Sequence, residues 1–167
     1  MFDMSILRQR PAEESTQLTP TDRAIVDELR SDGRLPNATL AERVGLSPSA
    51  CHSRVRALRD RGVIRGFTAD VDPAALGCAI QALVFVRIHP RARSGLEQFA
   101  ETLRVRPEVA QLYFLGGSDD FLIHLWARDS NHVRDFVLDA LSSSQAVAHT
   151  DTKLIFDHHR AVTPTAL

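Results

Sequence analysis

The sequence has few of the residues that mark secreted, membrane-spanning or metal-binding proteins. Its 167 residues include only two cysteines, Cys51 and Cys78, and neither has a companion at a metal-ligand spacing. We therefore expect neither a disulfide nor a metal site. No apolar run approaches the roughly 20 residues that cross a membrane. The N-terminus lacks the apolar core and cleavage site of a signal peptide, so we expect a cytoplasmic protein with no membrane partner.

Charge is plentiful but unevenly distributed. The formal net charge is −1, and 44% hydrophobic with 25% charged residues is typical of a folded globular chain. Positions 43 to 65 contain six arginines and a single acidic residue, Asp60. A basic segment on an otherwise acidic chain favours a nucleic-acid partner, although a solvated arginine-rich helix face would give the same count.

Two strong helix starts lie in the first third of the chain. Thr19 and Ser47 are each followed by a proline, which places an N-cap residue before proline at the first helical position. Apolar residues recur behind both at helical spacing. A glycine follows each apolar stripe, at positions 33 and 62, and predicts where the two helices end.

A short helix is predicted between them, over residues 39–44, with Asn37 or Thr39 as its N-cap and Gly45 as its end. Three residues separate it from the next helix, so the two must cross steeply, as in a helix-turn-helix unit. Gly45 permits the positive φ of that turn. Residues 63–67 predict a short strand and turn, a small wing. This domain is expected to span residues 18–68, behind a mobile tail over residues 1–17.

The second half alternates strands with helices. Strands are predicted over residues 79–89, 109–115, 121–127 and 147–156, with helices capped by Ser94 and Asn131. The order βαββαβ is the ferredoxin-like arrangement. The fold class is therefore α+β, with an N-terminal winged helix-turn-helix domain and a C-terminal ferredoxin-like βαββαβ domain. We expect a linker over residues 69–78, the second domain over 79–157, and a C-terminal tail over 158–167.

Both faces of the predicted sheet are apolar. Val84 and Val86 alternate with Leu83 and Phe85 along the first strand. Two helices cover only one face of a four-stranded sheet, and large exposed apolar faces are uncommon in soluble monomers. We infer that the second face pairs with another subunit, so the chain is at least a homodimer.

The densest pattern in the chain is DRAIVDELRSDGRLPNATLAERVGLSPSACHSRVRALRDRGVIRGF, from Asp22 to Phe67. Leu76-Gly77, the glycine turn over residues 117–120 and the pair Thr150 and Thr152 add to it. On these residues the chain resembles the Lrp/AsnC family of bacterial and archaeal transcriptional regulators, from Leu18 to about Leu154. The resemblance implies a second domain that dimerises and binds amino acids, with dimers that often assemble into tetramers or octamers.

A helix-turn-helix regulator binds double-stranded DNA through its second helix, whose N-terminal half enters the major groove. With the apolar stripe of that helix buried, four residues point outward as candidate base contacts, namely Ser49, His52, Ser53 and Arg56. Of these four, Arg56 is the best suited to bind a guanine. For His52, a solvated side chain that contacts no base is nearly as good an interpretation. Candidate phosphate contacts are Ser47, beside its capping role, with Arg34, Asn37, Arg54 and Arg65. Arg54 has an alternative, an ion pair with Asp60 or Glu42.

In the family that the chain resembles, the turn between the second and third strands reads Gly-Asp-aromatic-Asp and surrounds a free amino acid together with the last strand of a neighbouring subunit. Here the turn is Gly117-Ser118-Asp119-Asp120, so one acid and the aromatic residue are replaced. Thr150 and Thr152 are candidate pocket residues on the last strand. The alternative is an ordinary hairpin turn.

Two other functions fit parts of this pattern. Ferredoxin-like domains host many chemistries, so an enzyme of amino-acid metabolism is one alternative. We find no nucleophile–base–orienter set and no phosphate-binding glycine loop, and the seven histidines are scattered; we therefore expect no enzyme and no cofactor. The second alternative is a nucleoid-organising protein of low sequence specificity, because Arg56 is the single strong base reader among serines.

Overall fold

Three helices form the first unit of the fold, residues 18–69, which we call the head. The structure is a computed structural model and describes residues 18–158. The predicted tail over residues 1–17 lies outside the described residues, as does the predicted C-terminal tail apart from His158. The helices of the head are α1 (Pro20–Ser31), α2 (Asn37–Arg43) and α3 (Pro48–Asp60).

The capping signals of α1 and α3 act as predicted. Thr19 is the N-cap of α1 and forms a reciprocal capping box with Asp22. Ser47 is the N-cap of α3, and its side chain accepts a hydrogen bond from the backbone N–H of Ala50. Gly45 has φ +67°, the left-handed conformation that the turn between α2 and α3 requires.

Two predictions for the head are wrong. Helix α2 begins at Asn37 rather than Thr39, with Pro36 as N-cap and no capping side chain. The Asn37 side chain instead donates to the backbone oxygen of Pro48, across the turn. The strand predicted over residues 63–67 is not formed either. The N–H groups of Val63 and Ile64 both donate to the Leu58 carbonyl, so this segment closes α3 with a turn and packs against the core of the head.

A four-stranded antiparallel sheet forms the second unit, residues 70–158, which we call the sheet unit. Its spatial order is β2-β3-β1-β4, which is the ferredoxin-like order. A single 3₁₀ turn, Pro73–Leu76, lies within the segment predicted as a linker. The strands are β1 (Ile80–Ile88), β2 (Val109–Phe114), β3 (Phe121–Ala127) and β4 (Val147–Ile155).

Two helices, α4 (Leu96–Arg104) and α5 (Ser130–Phe136), cover one face of this sheet, as predicted. Neither begins at the predicted cap. Ser94 lies inside the 3₁₀ turn Pro90–Gly95, so Gly95 becomes the N-cap of α4. Asp129 replaces Asn131 as the N-cap of α5, because its side chain accepts from the His132 N–H. Helix α5 continues as a π-helical turn, Val137–Ser142.

The alternation along β1 and β3 separates a buried face from an open one. The buried face carries Val84 and Val86 opposite Ile123 and Phe121. The open face carries Leu83, Phe85, Leu122 and Trp126, which the chain by itself only half buries. No described helix combines the length and apolar character needed to cross a membrane.

Candidate functional sites

The exposed side of α3 carries the four predicted base contacts. Cys51 and Leu58 are buried on the opposite side, which anchors the helix in the core of the head. Ser49, His52, Ser53 and Arg56 are all exposed, and we call this set the reading face. The Arg56 side chain is 79% exposed, and its Nε lies 3.9 Å from Asp60, too far for a hydrogen bond. The Arg56 guanidinium is therefore exposed and not hydrogen-bonded to Asp60, which leaves it accessible to a partner.

The reading face borders a groove of about 480 Å³. His52 and Arg56 contribute to it from α3, and the exposed Arg65 contributes from the segment that follows. The structure thus brings a predicted phosphate contact beside two predicted base contacts. Arg59, which the sequence did not single out, completes the basic rim of this groove.

Arg54 forms an ion pair, but its partner is neither of the two acids that the sequence suggested. Its guanidinium donates to the Asp22 carboxylate at 3.0 Å and not to Asp60 or Glu42. Arg61 lies 3.9 Å from the same carboxylate. Burial by itself raises the pKa of Asp22, but hydrogen bonds from Thr19 and Arg54 outweigh it and hold the pKa below its ordinary value. This ion pair ties α1 to α3.

The remaining predicted phosphate contacts are in different environments. Arg34 is exposed. Asn37 is half-buried, and its side chain already donates to the backbone oxygen of Pro48. The Ser47 hydroxyl lies 3.2 Å from that of Ser49. The sequence does contain a signal for the capping role of Asp22, because Thr19-x-x-Asp22 is a capping-box spacing. Nothing local in the sequence pointed to its pairing with Arg54.

In the sheet unit, Asp120 holds the glycine turn in place from the buried side. Its side chain is 5% exposed; one carboxylate oxygen accepts from the Ile88 N–H at 2.7 Å, and the other lies 3.4 Å from Arg93. Its own N–H donates to the Val86 carbonyl. Gly117 has φ +132°, which favours glycine. Asp120 is thus a structural anchor in this chain.

The exposed side of the turn is held by Arg87, which sequence reasoning missed. The Arg87 Nε donates to the Ser118 carbonyl at 2.8 Å, and a terminal nitrogen lies 3.7 Å from Asp119. The Ser118 hydroxyl donates to the Asp119 carboxylate. Strand alternation places Arg87 on the open face, but no sequence signal links it to a turn 31 residues later.

Thr150 and Thr152 are not brought to the turn within one chain. They pair with Val86 and Val84 on the β4 side of β1, whereas Phe121, which follows the turn, pairs with Val86 on the other side. Two strand spacings, about 10 Å, therefore separate Thr150 from the start of β3.

The open face of the sheet also carries polar groups. His124 shares a hydrogen bond of 2.8 Å with Gln81. Burial lowers the pKa of His124, and the nearby His158 lowers it further. The Trp126 Nε1 is buried and has no hydrogen-bond partner within the described part of the chain. The half-buried apolar side chains are what leave this face incomplete without a covering surface.

Comparison with known proteins agrees with this geometry. The family described as winged helix-turn-helix DNA-binding matches residues 18–65, and the family described as Lrp/AsnC ligand binding domain matches residues 81–163. The HTH-type transcriptional regulator AldR of Mycolicibacterium smegmatis is 47% identical over 147 residues, which are 88% of this chain and 86% of the relative.

Two crystal structures are similar over most of the chain. That of AldR from Mycobacterium tuberculosis has a TM-score of 0.79 and 40% identity, and the match covers 90% of this chain and 99% of that chain. That of a transcriptional regulator from Neisseria meningitidis in complex with L-Met has a TM-score of 0.79 and 35% identity, covering 89% of this chain and 97% of that chain.

Proposed function

This chain belongs to the Lrp/AsnC family of transcriptional regulators, and we propose that it binds specific DNA sequences as a homo-oligomer whose binding or assembly is modulated by an amino acid. Because the relatives are transcriptional regulators, the chain is a regulator rather than an enzyme. A DNA-binding regulator acts where the DNA is, so the cytoplasmic location stays part of the proposal.

The observation that carries the DNA proposal is the separation of roles on α3. Its buried side and capped N-terminus fix the helix, while Ser49, His52, Ser53 and Arg56 remain exposed. In the proposal this reading face enters the major groove, with Arg56 on a guanine. Arg34 and Arg65 contact phosphates from the flanks, joined by the exposed Ser47 and by the half-buried Asn37 and Arg54.

A second copy of the chain is the proposed cover for the open face of the sheet. Leu83, Phe85 and Leu122, which one chain leaves half-buried, would be buried by it. A dimer places two reading faces on one DNA molecule, which predicts two half-sites about one helical turn apart, or a multiple of it. Tetramers or octamers built from this dimer are part of the same proposal.

The amino-acid effector is supported by the family match of the sheet unit and by the L-Met complex of the Neisseria meningitidis regulator. In the proposal the effector lies at the exposed side of the turn, against Gly117, Ser118 and Asp119, with Asp120 holding the turn from below. Thr150 and Thr152 of a neighbouring subunit complete the pocket.

The test is fluorescence anisotropy of labelled DNA from the region upstream of the chain's own gene, at fixed salt, with each of the twenty amino acids. We expect tight binding over competitor DNA and a shift by one or a few amino acids. Tight binding that no amino acid shifts would remove the effector from the proposal. Equal binding to competitor DNA would favour the nucleoid-organising alternative, since non-specific binding is sequence-independent and strongly salt-dependent.

A further inference from the structure

We propose that Arg87 and Asp119 form the recognition pair for the charged groups of the effector, an inference that rests on the proposed function of the sheet unit. The Arg87 guanidinium binds the α-carboxylate, and the Asp119 carboxylate binds the α-ammonium. The ligand class is therefore an α-amino acid with both groups unmodified.

Asp120 is excluded as the ammonium partner because its side chain is already used. It is buried, and its two oxygens face the Ile88 N–H and Arg93. Moving it toward a ligand would leave the buried Ile88 N–H without an acceptor, which is unfavourable. Asp119 is the remaining acid of the turn, and its side chain is 25% exposed.

Arg87 and Asp119 attract each other without satisfying each other. The closest nitrogen and oxygen are 3.7 Å apart, longer than a charge-assisted hydrogen bond. The Arg87 Nε donates to the Ser118 carbonyl at 2.8 Å, so the orientation of the guanidinium is set while the side chain as a whole remains about half-exposed. A zwitterion that bridges the two groups gains two short charge-assisted bonds and gives up one long ion pair.

The turn leaves both room and further donors beside this pair. Positions where side chains would project from Gly116 and Gly117 have no atom within 4 Å. None of the backbone N–H groups of residues 116–119 donates to an acceptor in the described part of the chain. Successive free N–H groups next to a guanidinium are a suitable environment for a carboxylate.

The experiment uses the full-length chain and begins with thermal shift against each of the twenty amino acids. For an amino acid that raises the Tm, titration calorimetry then compares three ligands: that amino acid, its α-amide, and its 2-hydroxy acid analogue. The amide lacks the carboxylate charge, and the hydroxy acid lacks the ammonium. The variants are Arg87→Gln and Asp119→Asn, with Arg91→Gln as a matched control, because Arg91 is a nearby exposed arginine outside the pair.

We expect Arg87→Gln to weaken binding of the amino acid by about 10- to 100-fold and to abolish the preference for the acid over the amide. Asp119→Asn should abolish the preference for the amine over the hydroxyl by a similar factor. Arg91→Gln should bind all three ligands like the wild type.

Two results would overturn the inference while leaving the amino-acid effector in place. One is wild-type preferences in both variants, and the other is an equal loss of all three ligands, which is what a purely structural role of Arg87 would produce. A wild-type chain that no amino acid stabilises would overturn the inference and the effector proposal together.

Discussion

Helix α3 in the head and the glycine turn in the sheet unit place their functional groups in opposite ways. On α3, the residues that hold the helix, Cys51 and Leu58, lie on the side away from Ser49 and Arg56. In the turn, Asp119 and its neighbour Asp120 lie next to each other, one partly exposed and one buried. On α3, the residues that support the structure and those that face a ligand are separated by the diameter of the helix. In the turn they are adjacent in the chain.

This comparison predicts different responses to mutation. A helix lets an exposed side chain change without moving the backbone, because the opposite side carries the packing. A turn held by side-chain contacts moves when one contact is lost. Variants of the reading face should therefore change binding alone, whereas variants of the turn should change stability or binding depending on which side of it they touch.

The largest effect is expected for Asp120→Ala. The substitution leaves the Ile88 N–H and Arg93 without their carboxylate, so we expect the free energy of unfolding of the sheet unit to fall by about 3 kcal/mol. Urea denaturation monitored by Trp126, the single tryptophan, measures this unit directly.

Asp119→Asn is the matched control for that variant. Asparagine keeps an oxygen that can accept from the Ser118 hydroxyl and loses only a long, solvent-screened ion pair, so we expect a loss of at most about 0.5 kcal/mol. Similar losses at positions 119 and 120 would contradict the division of the turn into a buried anchor and an exposed recognition side.

Arg56→Ala tests the head, where the recognition residues lie on the side of α3 opposite to the packing. We expect DNA affinity to fall by about 1–3 kcal/mol, with relaxed specificity at one base position and unchanged thermal stability. Anisotropy with the operator and with singly substituted operators measures both effects.

Asp60→Ala is the control here, because it removes the long Arg56 contact without removing the arginine. It should bind DNA at least as tightly as the wild type. If Arg56→Ala binds every operator variant like the wild type, the assignment of α3 to the groove is wrong.

A smaller effect is expected for Asp22→Asn, which keeps a polar cap but loses the charge that faces Arg54. We expect the head to lose about 1–2 kcal/mol of stability. Hydrogen exchange at the amides of α1 and α3 measures the head separately from the sheet unit. Asp27→Asn, which alters an exposed pair 4.0 Å from Arg30, should leave the exchange rates unchanged.

The smallest effect is a pH dependence in the sheet unit. Burial alone raises the pKa of Glu108, but its own backbone N–H, Arg106 and His132 outweigh burial and hold the pKa below the ordinary 4.5. A carboxyl whose pKa is lowered by folding stabilises the fold fully above its ordinary pKa and loses that contribution as the pH falls further.

Stability of the sheet unit should therefore fall as the pH drops below about 4.5, by under about 1 kcal/mol for this group. The Trp126 signal reports it well, since the backbone N–H of Trp126 donates to the backbone carbonyl of Glu108. Glu108→Gln should flatten this part of the profile, and an unchanged slope would assign the acid sensitivity to other carboxyls.

Sequence reasoning succeeded where a signal lies within a few residues and failed where a competing local residue was available. Thr19 and Ser47 were predicted as caps correctly, because each precedes a proline that cannot lie deeper in a helix. Ser94 and Asn131 were wrong caps, because Gly95 and Asp129 stood beside them and the packing of the sheet unit decided which residue left the helix.

The candidate sites divide in the same way. The reading face follows from which α3 residues the apolar stripe buries, so helical periodicity was enough to predict its four members. The turn was predicted from its glycine and acids, but not the division of work between Asp119 and Asp120. That division depends on β1, which supplies both the Ile88 N–H and Arg87.

The sequence by itself determined the starts of α1 and α3, the positive-φ turn at Gly45 and the order of the strands, because these depend on interactions between neighbours in the chain. Only the tertiary structure decided that Arg54 pairs with Asp22, that Asp120 anchors the turn and that Arg87 reaches Ser118. These contacts join residues 31 or 32 positions apart. Such contacts form only after the elements have packed, so no short stretch of sequence contains them.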